Sequence, residues 1–200
     1  YLPSEEMKFA IKNNPWNVSR GFPGSHSVKL MHEKLLNWKI NGELNVPVFD
    51  KSLRNGLGDR SHWRIDNPDL LIIEGWFLGI EPFKSDCDFK QINSAYLSPQ
   101  ESSYRFKIQE NLNKYLDVWS LIDNIWHLKP LKFEYMNIWK TNQENEMFLQ
   151  KGMALQDVKL SNFLRMLNVS IPHKSFDDIK SYALLLIDQD RNLIDAGLNL

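Results

Sequence analysis

Apolar residues along this 200-residue chain recur with two spacings, one typical of helices and one typical of buried strands. Helical spacing predicts helices at 2–13, 28–41, 108–122, 133–150 and 155–167. Short apolar runs predict strands at 46–49, 70–73, 125–128 and 182–187, and a turn at 188–192 before a last short strand. Polar loops that contain glycine are expected at 14–27 and 51–63. Because strands alternate with helices, the chain is predicted to have an α/β fold.

The clearest strand candidate is the continuous apolar run at 70–73, whose polar flanks are typical of a parallel strand covered on both faces. It ends at Glu74, where α/β sheets place their chemistry. An acid at this point can hold Mg²⁺ or orient the attacking group in phosphoryl transfer. It can equally cap the next helix or face solvent, so the pattern by itself leaves both interpretations open.

Two polar loops carry further candidates. The segment 20–26 combines Arg20 and His26 with two glycines, and such a loop can wrap a small anion while the arginine makes a bidentate contact. The segment 50–60 contains two carboxylates, which can accept from hydroxyl groups, and several cations, which can bind the acidic end of a ligand. Each loop taken alone also fits an ordinary solvated turn.

Composition and charge limit the kind of partner. Hydrophobic residues make up 42% of the chain and charged residues 24%, as expected for a single domain spanning residues 1–200. With 24 basic and 25 acidic residues, the chain lacks the broad positive field that binds nucleic acid or an anionic membrane. No apolar run approaches the roughly 20 residues of a membrane span. A lone cysteine, Cys87, and no export signal favour the cytoplasm.

Four blocks of the chain match motifs of one known family. Its Gly-x-Pro-Gly-Thr-His-Asp stretch is matched at Gly21, Pro23, Gly24 and His26, with Ser25 and Ser27 in place of threonine and aspartate. Its Tyr-Asp-Lys-Ser segment leading to Gly-x-Gly-Asp-Arg is matched at Asp50, Lys51, Ser52, Gly56, Gly58, Asp59 and Arg60, with Phe49 for tyrosine. Its Glu-Gly-Trp-x-Leu-Gly-x-x-Pro signature is matched at Glu74, Gly75, Trp76, Leu78, Gly79 and Pro82. A weaker block is matched at Lys151, Gly152, Met153, Val158, Phe163 and Pro172, and Trp139-Lys140 stands where relatives often have tryptophan and arginine. In these blocks and their order, the chain resembles the D-glycerate 3-kinase family over nearly its whole length.

The resemblance implies a doubly wound parallel sheet of the P-loop NTPase type and phosphorylation of D-glycerate to 3-phosphoglycerate with ATP and Mg²⁺, as in photorespiratory glycerate salvage. The residues it implies for substrate binding are Arg20, Gly24, His26, Asp50, Lys51, Asp59 and Arg60. It also implies Glu74 as the magnesium ligand, Lys51 and Arg60 as catalytic cations, and Lys140 as a lid residue that contacts ATP.

The same resemblance places the family's phosphate-binding loop, its N-terminal strands and an aspartate general base before Tyr1. We therefore expect the chain to be the C-terminal, substrate-binding and lid part of such a kinase, inactive by itself. Two alternatives remain open. One is a kinase for another small alcohol, such as uridine, pantothenate or a pentose phosphate. The other is a non-catalytic remnant that binds a metabolite or a partner protein.

Overall fold

A computed structural model describes residues 1–83, 97–152 and 154–198 of the chain. Cys87 and Met153, both named above, lie outside the described residues. The chain divides into two compact units, Tyr1–Ile122 and Asp123–Leu200, and each is described by itself below. The single-domain organisation stays a prediction.

The first unit contains three helices and a β-hairpin among its described residues. Its elements are α1 (Ser4–Ile11), α2 (Val28–Asn41), β1 (Leu44–Asp50), β2 (Asp59–Asp66) and α3 (Pro99–Trp119). The predicted helices at 2–13 and 28–41 and the strand at 46–49 are confirmed to within a few residues. Helix α2 ends where Gly42 adopts a left-handed conformation, with φ of 75°, as is common at helix C-termini.

Strand β2 lies where the sequence predicted only a polar loop. It pairs antiparallel with β1, from Leu44 opposite Asp66 to Asp50 opposite Asp59. The turn between them requires left-handed backbone at four positions: Arg54, Asn55, Gly56 and Gly58. The prediction missed β2 because polar side chains cover most of this largely exposed strand, and hairpin pairing with β1 outweighs the weak strand propensity of its sequence.

The predicted strand at 70–73 is wrong. These residues take no regular secondary structure, and Leu70 and Ile72 are 75% and 76% exposed. A strand needs a neighbouring strand to pair its backbone N–H and C=O groups. Among the described residues of the first unit, the two paired strands are β1 and β2, which pair with each other. Apolar composition alone was therefore insufficient to make 70–73 a strand.

Helix α3 is the centre of the first unit. It begins at Pro99 rather than near 108, because Ser98 and Glu101 form a capping box that satisfies its first backbone N–H groups. The large apolar side chains that it buries are Tyr104, Ile108, Leu112, Tyr115 and Val118. Their spacing of three and four residues puts them on one face. Burial of each large side chain contributes about 1.5–3 kcal/mol, so α3 supplies much of the apolar stabilisation of this unit.

The second unit is a three-stranded sheet, and three helices connect its first strand to its second. Its elements are β3 (Trp126–Pro130), α4 (Tyr135–Lys151), α5 (Asp157–Val169), α6 (Lys174–Asp177), β4 (Ala183–Ile187) and β5 (Leu193–Leu198). Strand β4 lies in the middle, parallel to β3 and antiparallel to β5. The longer helices and all three strands match predicted elements, whereas the short α6 was not predicted. The α/β fold class is confirmed.

No helix in the described ranges is both long enough and apolar enough to cross a lipid bilayer.

Asp59 caps helix α1 from a distant part of the sequence. The residue that precedes α1 is Pro3, which gives the helix no side-chain cap. The Asp59 carboxylate instead accepts from the Ser4 backbone N–H at 3.0 Å and from the Ser4 hydroxyl at 2.9 Å. It also accepts from Nε of Arg54 and from the Arg60 backbone N–H. The Ser4 backbone N–H above all, with Arg54, holds the pKa of Asp59 well below its ordinary value of 3.8.

Two glycines of the turn between β1 and β2 provide a matched pair of variants. Gly56 and Gly58 have nearly the same φ, 85° and 83°. A Cβ at Gly58 would lie 2.5 Å from the Phe49 ring, whereas a Cβ at Gly56 would meet open space. We expect Gly56→Ala to cost about 1–2 kcal/mol of unfolding free energy from backbone strain. Gly58→Ala should cost about 1–3 kcal/mol more from overpacking. Urea denaturation measures both, and equal losses would contradict the crowding at Gly58.

The second prediction concerns Asp59→Asn, which removes the charge that caps α1. A carboxylate with a lowered folded-state pKa stabilises the fold at pH values above its unfolded pKa, and that stabilisation is lost as the pH falls towards the folded pKa. We therefore expect the variant to be less stable than the parent at neutral pH. The difference should shrink as the pH falls below 3.8. Denaturation midpoints across this pH range give the measurement.

The matched control is Asp66→Asn, which removes a half-exposed carboxylate paired with Arg64 on the same strand. Exposed ion pairs contribute little, so this variant should stay close to the parent at every pH. A destabilisation by Asp59→Asn that is the same at acidic and neutral pH would show that the charge of Asp59 is not what stabilises α1.

Candidate functional site

The loop between α1 and α2 is held against helix α3 through its backbone. The Asn111 side-chain amide donates to the carbonyl of Pro23 at 3.1 Å, and the Gly24 N–H donates to the Tyr115 hydroxyl at 3.2 Å. Gly24 has a φ of 104°, and a Cβ there would lie 2.2 Å from Nδ2 of Asn111. Only glycine combines this backbone conformation with so close an approach to α3.

His26 lies at the end of this loop, in contact with aromatic rings. Its Nδ1 is 2.8 Å from the Tyr115 hydroxyl, and its ring stacks on Tyr1 with centroids 4.6 Å apart. The Phe77 ring lies 5.8 Å away. Burial among these rings lowers the pKa of His26 to about 4, because a charged imidazolium would lose its hydration. His26 is therefore neutral at physiological pH.

Two arginines connect the β1–β2 hairpin to the loop between α1 and α2. Arg20 donates through Nη1 to the carbonyls of Gly56 at 2.8 Å and Leu57 at 3.0 Å, so its charge holds the turn. Arg60 donates through Nη2 to the Ser27 hydroxyl and to the Tyr1 carbonyl. Its Nε is buried without a hydrogen-bond partner among the described residues. A ligand that accepts at this nitrogen would satisfy it.

Asp50 is the last residue of β1 and Lys51 is the first residue of the hairpin turn. The Asp50 carboxylate accepts from the Ser52 hydroxyl at 2.6 Å and from the Ser52 N–H at 2.8 Å, and these bonds lower its pKa. Asp50 therefore stabilises the start of the turn. Lys51 is exposed to solvent.

The segment 74–82, which carries Glu74, contacts the loop between α1 and α2 through Trp76. The indole N–H of Trp76 donates to the Gly21 carbonyl at 2.6 Å. The next residue, Phe77, is buried and packs edge-on against Tyr115 at 5.3 Å. Glu74 itself is exposed. Trp76 and Phe77 thus fix this segment against the loop and leave the Glu74 carboxylate in solvent.

A cavity of about 520 Å³ opens beside His26 and Arg60. It lies between the start of α1, the loop at 24–27, the start of α2, Arg60 and the middle of α3. The charged residues that line it are Glu6, Lys29, Glu33, Arg60 and Lys114. Because His26 is neutral, three cations face two carboxylates, and the cavity has a small positive excess that suits an anionic ligand.

The structure brings together some of the predicted site residues and separates others. Gly24, His26 and Arg60 line the cavity. The residues that instead shape the backbone around it are Arg20, Asp50 and Asp59. Lys51 and Glu74 are exposed outside its lining.

Sequence reasoning missed three residues of α3 that line the cavity: Asn111, Lys114 and Tyr115. Lys114 donates to Oδ1 of Asn111 at 2.9 Å, so the two act together. A signal was present in the sequence, because Lys114 and Tyr115 follow Asn111 by three and four positions and are therefore its neighbours on the helix surface. That face was assigned to the core, since Tyr115 belongs to the apolar repeat of the helix.

Lys140, the predicted lid residue, lies in the second unit on α4. It forms an ion pair with the buried Glu144, and its ammonium lies 5.0 Å from the centre of the Phe163 ring on α5. Glu144 in turn accepts from the Leu155 N–H at 2.7 Å. In this conformation Lys140 connects α4 to α5.

A bound magnesium ion would need oxygen ligands from this chain. Mg²⁺ binds carboxylate oxygens, keeps several waters and commonly takes its other ligands from substrate phosphates. The exposed carboxylate of Glu74 is a donor of the right type. Within the described ranges, no three His, Cys, Asp or Glu residues converge as a metal site. Glu74 therefore fits a magnesium ion that is held largely by water and by the phosphates of a nucleotide.

Comparisons with known proteins agree with the motifs. No family model matches the chain. In sequence, the chain is 31% identical to "Uncharacterized kinase mug58" of Schizosaccharomyces pombe over 172 aligned residues, which cover 79% of the chain and 61% of that relative. It is 28% identical to "Probable ATP-dependent kinase TDA10" of Saccharomyces cerevisiae over 222 aligned residues, which cover 96% of the chain and 72% of that relative. The chain thus spans less than two thirds of the fission-yeast protein.

Solved structures show the same fold. D-glycerate 3-kinase from Cryptococcus neoformans var. grubii superposes with a TM-score of 0.82 at 23% identity, over 99% of this chain and 76% of that one. The protein YGR205w superposes with a TM-score of 0.72 at 24% identity, over 98% of this chain and 74% of that one. The chain therefore has the same fold as these proteins, so its resemblance to the D-glycerate 3-kinase family is confirmed in fold, and its sequence is similar to those of two fungal kinases.

Proposed function

We propose that this protein transfers the γ-phosphoryl group of ATP to D-glycerate and forms 3-phosphoglycerate. The observation that carries the proposal is that Gly24 and His26 of the first family-like block and Arg60 of the second line one cavity with a positive excess. Trp76 of the third block bonds to Gly21, in the same loop as Gly24 and His26. The hydroxyl on C3 of glycerate attacks the γ-phosphorus, the bond to the β–γ bridging oxygen breaks, and ADP leaves. The hydroxyl proton is released to a base or to solvent.

The cavity suits a short hydroxy acid in charge and size. Glycerate carries one carboxylate and two hydroxyl groups, and Arg60, Lys29 and Lys114 offer cations for the carboxylate. The carboxylates of Glu6 and Glu33 are acceptors for hydroxyl groups. A volume of about 520 Å³ is enough for glycerate and a phosphoryl group. An uncharged alcohol would leave the positive excess without a partner.

The residues outside the cavity have different proposed roles. Arg20, Asp50 and Asp59 keep the loops in shape around the substrate. Lys51 and Glu74 are exposed, and we assign them to the nucleotide side, with Glu74 as the ligand of Mg²⁺ bound to ATP phosphates. When bound, Mg²⁺ neutralises charge on the transferring phosphoryl group. Lys140 contacts ATP if the lid closes and its ion pair with Glu144 is exchanged for a phosphate.

The direct test is product formation by the protein expressed from its complete gene. It is incubated with ATP, Mg²⁺ and one acceptor at a time, namely D-glycerate, L-glycerate, uridine, pantothenate or a pentose phosphate, and products are identified by NMR and mass spectrometry. We expect 3-phosphoglycerate from D-glycerate above all. The 200-residue chain measured beside it should be inactive, because its sequence holds no Gly-x-x-x-x-Gly-Lys-Ser/Thr loop.

Two other results of this assay would contradict the proposal, and they point to different functions. Turnover of uridine, pantothenate or a pentose phosphate in place of glycerate would assign the protein to a kinase with a different acceptor. No turnover of any acceptor, with ATP binding also absent, would support a non-catalytic binding protein.

The role of Glu74 gives a separate prediction. Glu74→Gln keeps the size of the side chain and removes its charge, so we expect kcat to fall by about 100-fold, as when one group that stabilises transition-state charge is lost. The Mg²⁺ concentration needed for half-maximal rate should rise. Because Glu74 is exposed, thermal stability should change little. Initial rates measured across a Mg²⁺ titration give both values.

The matched control is Asp69→Asn, which neutralises another exposed carboxylate just before the apolar run at 70–73. It should leave kcat and the Mg²⁺ dependence unchanged. If Glu74→Gln behaves like this control, Glu74 is not the magnesium ligand.

A further inference from the structure

The hydrogen bond between Tyr115 and His26 determines which ring nitrogen of His26 carries its proton. The Tyr115 hydroxyl lies at hydrogen-bond distance from the Gly24 N–H, at 3.2 Å, and from Nδ1 of His26, at 2.8 Å. A tyrosine hydroxyl has a single proton to donate, and its oxygen can accept. The Gly24 N–H can only donate, so it uses the oxygen as an acceptor. The hydroxyl proton is then free to point at His26.

His26 provides the acceptor for that proton. Within the described part of the chain, Nδ1 of His26 is the acceptor that lies at hydrogen-bond distance from the Tyr115 hydroxyl. If Nδ1 carried the imidazole proton instead, it would donate to the tyrosine oxygen and leave the hydroxyl proton without a partner. Tyr115 is almost fully buried, and a buried donor left without an acceptor destabilises the fold. The arrangement that satisfies every group has Nδ1 as acceptor and the proton on Nε2.

The surroundings keep both groups uncharged. Burial raises the pKa of Tyr115 above its ordinary value and lowers that of His26 to about 4. The titratable or charged groups on the elements that pack around His26 or line its cavity are Tyr1, Glu6 on α1, Lys29 and Glu33 on α2, Arg60 on β2, and Lys114 and Tyr115 on α3. Three cations and two carboxylates do not favour an additional positive charge on the imidazole.

We propose that Tyr115 fixes His26 as its neutral Nε2–H tautomer, so that His26 presents an uncharged hydrogen-bond donor to the ligand of the cavity. In this state Nδ1 is occupied and Nε2 already carries a proton, so His26 neither removes a proton from the substrate nor acts as a cation. Its partner is an oxygen atom of the ligand, a carboxylate or hydroxyl oxygen if the proposed function holds. Tyr115 is a positioning residue that acts through His26.

The identity of the ligand rests on the proposed function, but the tautomer of His26 does not. NMR of the complete protein labelled with ¹⁵N in histidine tests the tautomer directly. We expect His26 to show a proton on Nε2, an unprotonated Nδ1 and no titration between about pH 5 and 8, the range in which an ordinary histidine changes charge. A proton on Nδ1, or a titration midpoint near the ordinary value of 6.5, would overturn the proposal.

Tyr115→Phe extends the same measurement. Without the hydroxyl, Nδ1 loses its donor, and we expect the ¹⁵N signals of His26 to shift towards a mixture of tautomers. An unchanged Nε2–H tautomer in a folded variant would show that Tyr115 is not what fixes it. If the variant does not fold, the parent spectrum still decides the proposal.

Three replacements of His26 distinguish a hydrogen-bond donor from a general base in the enzyme assay. The amide NH₂ of glutamine reaches roughly the position of Nε2, whereas that of asparagine reaches roughly the position of Nδ1. We expect His26→Gln to keep kcat within about tenfold of the parent and to keep the same pH profile. His26→Asn and His26→Ala should have a higher KM than His26→Gln, because each loses one hydrogen bond to the ligand. A general base would behave differently, because all three variants would lose kcat and one limb of the pH profile.

The failure of this proposal can be distinguished from the failure of the proposed function. If glycerate is not a substrate but the ¹⁵N spectrum shows the Nε2–H tautomer, the proposal for His26 stands and the acceptor is wrong. If glycerate is turned over but His26 titrates near neutral pH, the kinase assignment stands and the donor role of His26 is wrong.

Discussion

The candidate site depends on the contact between helix α3 and the loop that connects α1 to α2. Asn111 and Tyr115 bond to the backbone of that loop, while other residues of α3 form the apolar core of the same unit. The stability of the core and the shape of the cavity therefore come from one helix. A rotation or shift of α3 would disturb both, because tightly packed interiors do not deform smoothly.

Several residues that look like ligands in the sequence act instead on the protein backbone. Asp59 caps α1 in place of Pro3, and Arg20 holds two carbonyls of the hairpin turn. In both cases the charge fixes the backbone, at the start of α1 by Asp59 and in the hairpin turn by Arg20. A motif rich in charged residues can thus mark a binding site even when only some of its members reach the ligand. Among the charged residues of the two loops, Arg60 contacts Ser27 and lines the cavity.

Periodicity was sufficient to predict most helices and strands, because apolar faces at helical spacing and short apolar runs are local signals. It failed at 70–73, where a strand would need a pairing partner that local composition cannot reveal. It also missed β2, whose largely polar and exposed residues become a strand by pairing with β1.

The candidate site, like the secondary structure, was only partly predicted from the sequence. Gly24, His26 and Arg60 were found from motifs, and all three line one cavity. Asn111, Lys114 and Tyr115 were not found, because their role arises from a contact between segments far apart in the sequence. Helical spacing alone does not distinguish a side chain that packs in the core from one that also bonds to a distant loop.

The steric contact between Gly24 and Asn111 has an evolutionary consequence. The space that a side chain at position 24 would need is filled by the amide of residue 111, which itself bonds to Pro23. The two positions therefore form one steric unit, although they are far apart in the sequence. Among related proteins, a larger residue at position 24 would be tolerated only together with a smaller residue at 111 and a change in the loop backbone. The pair should consequently covary, and neither position should change alone.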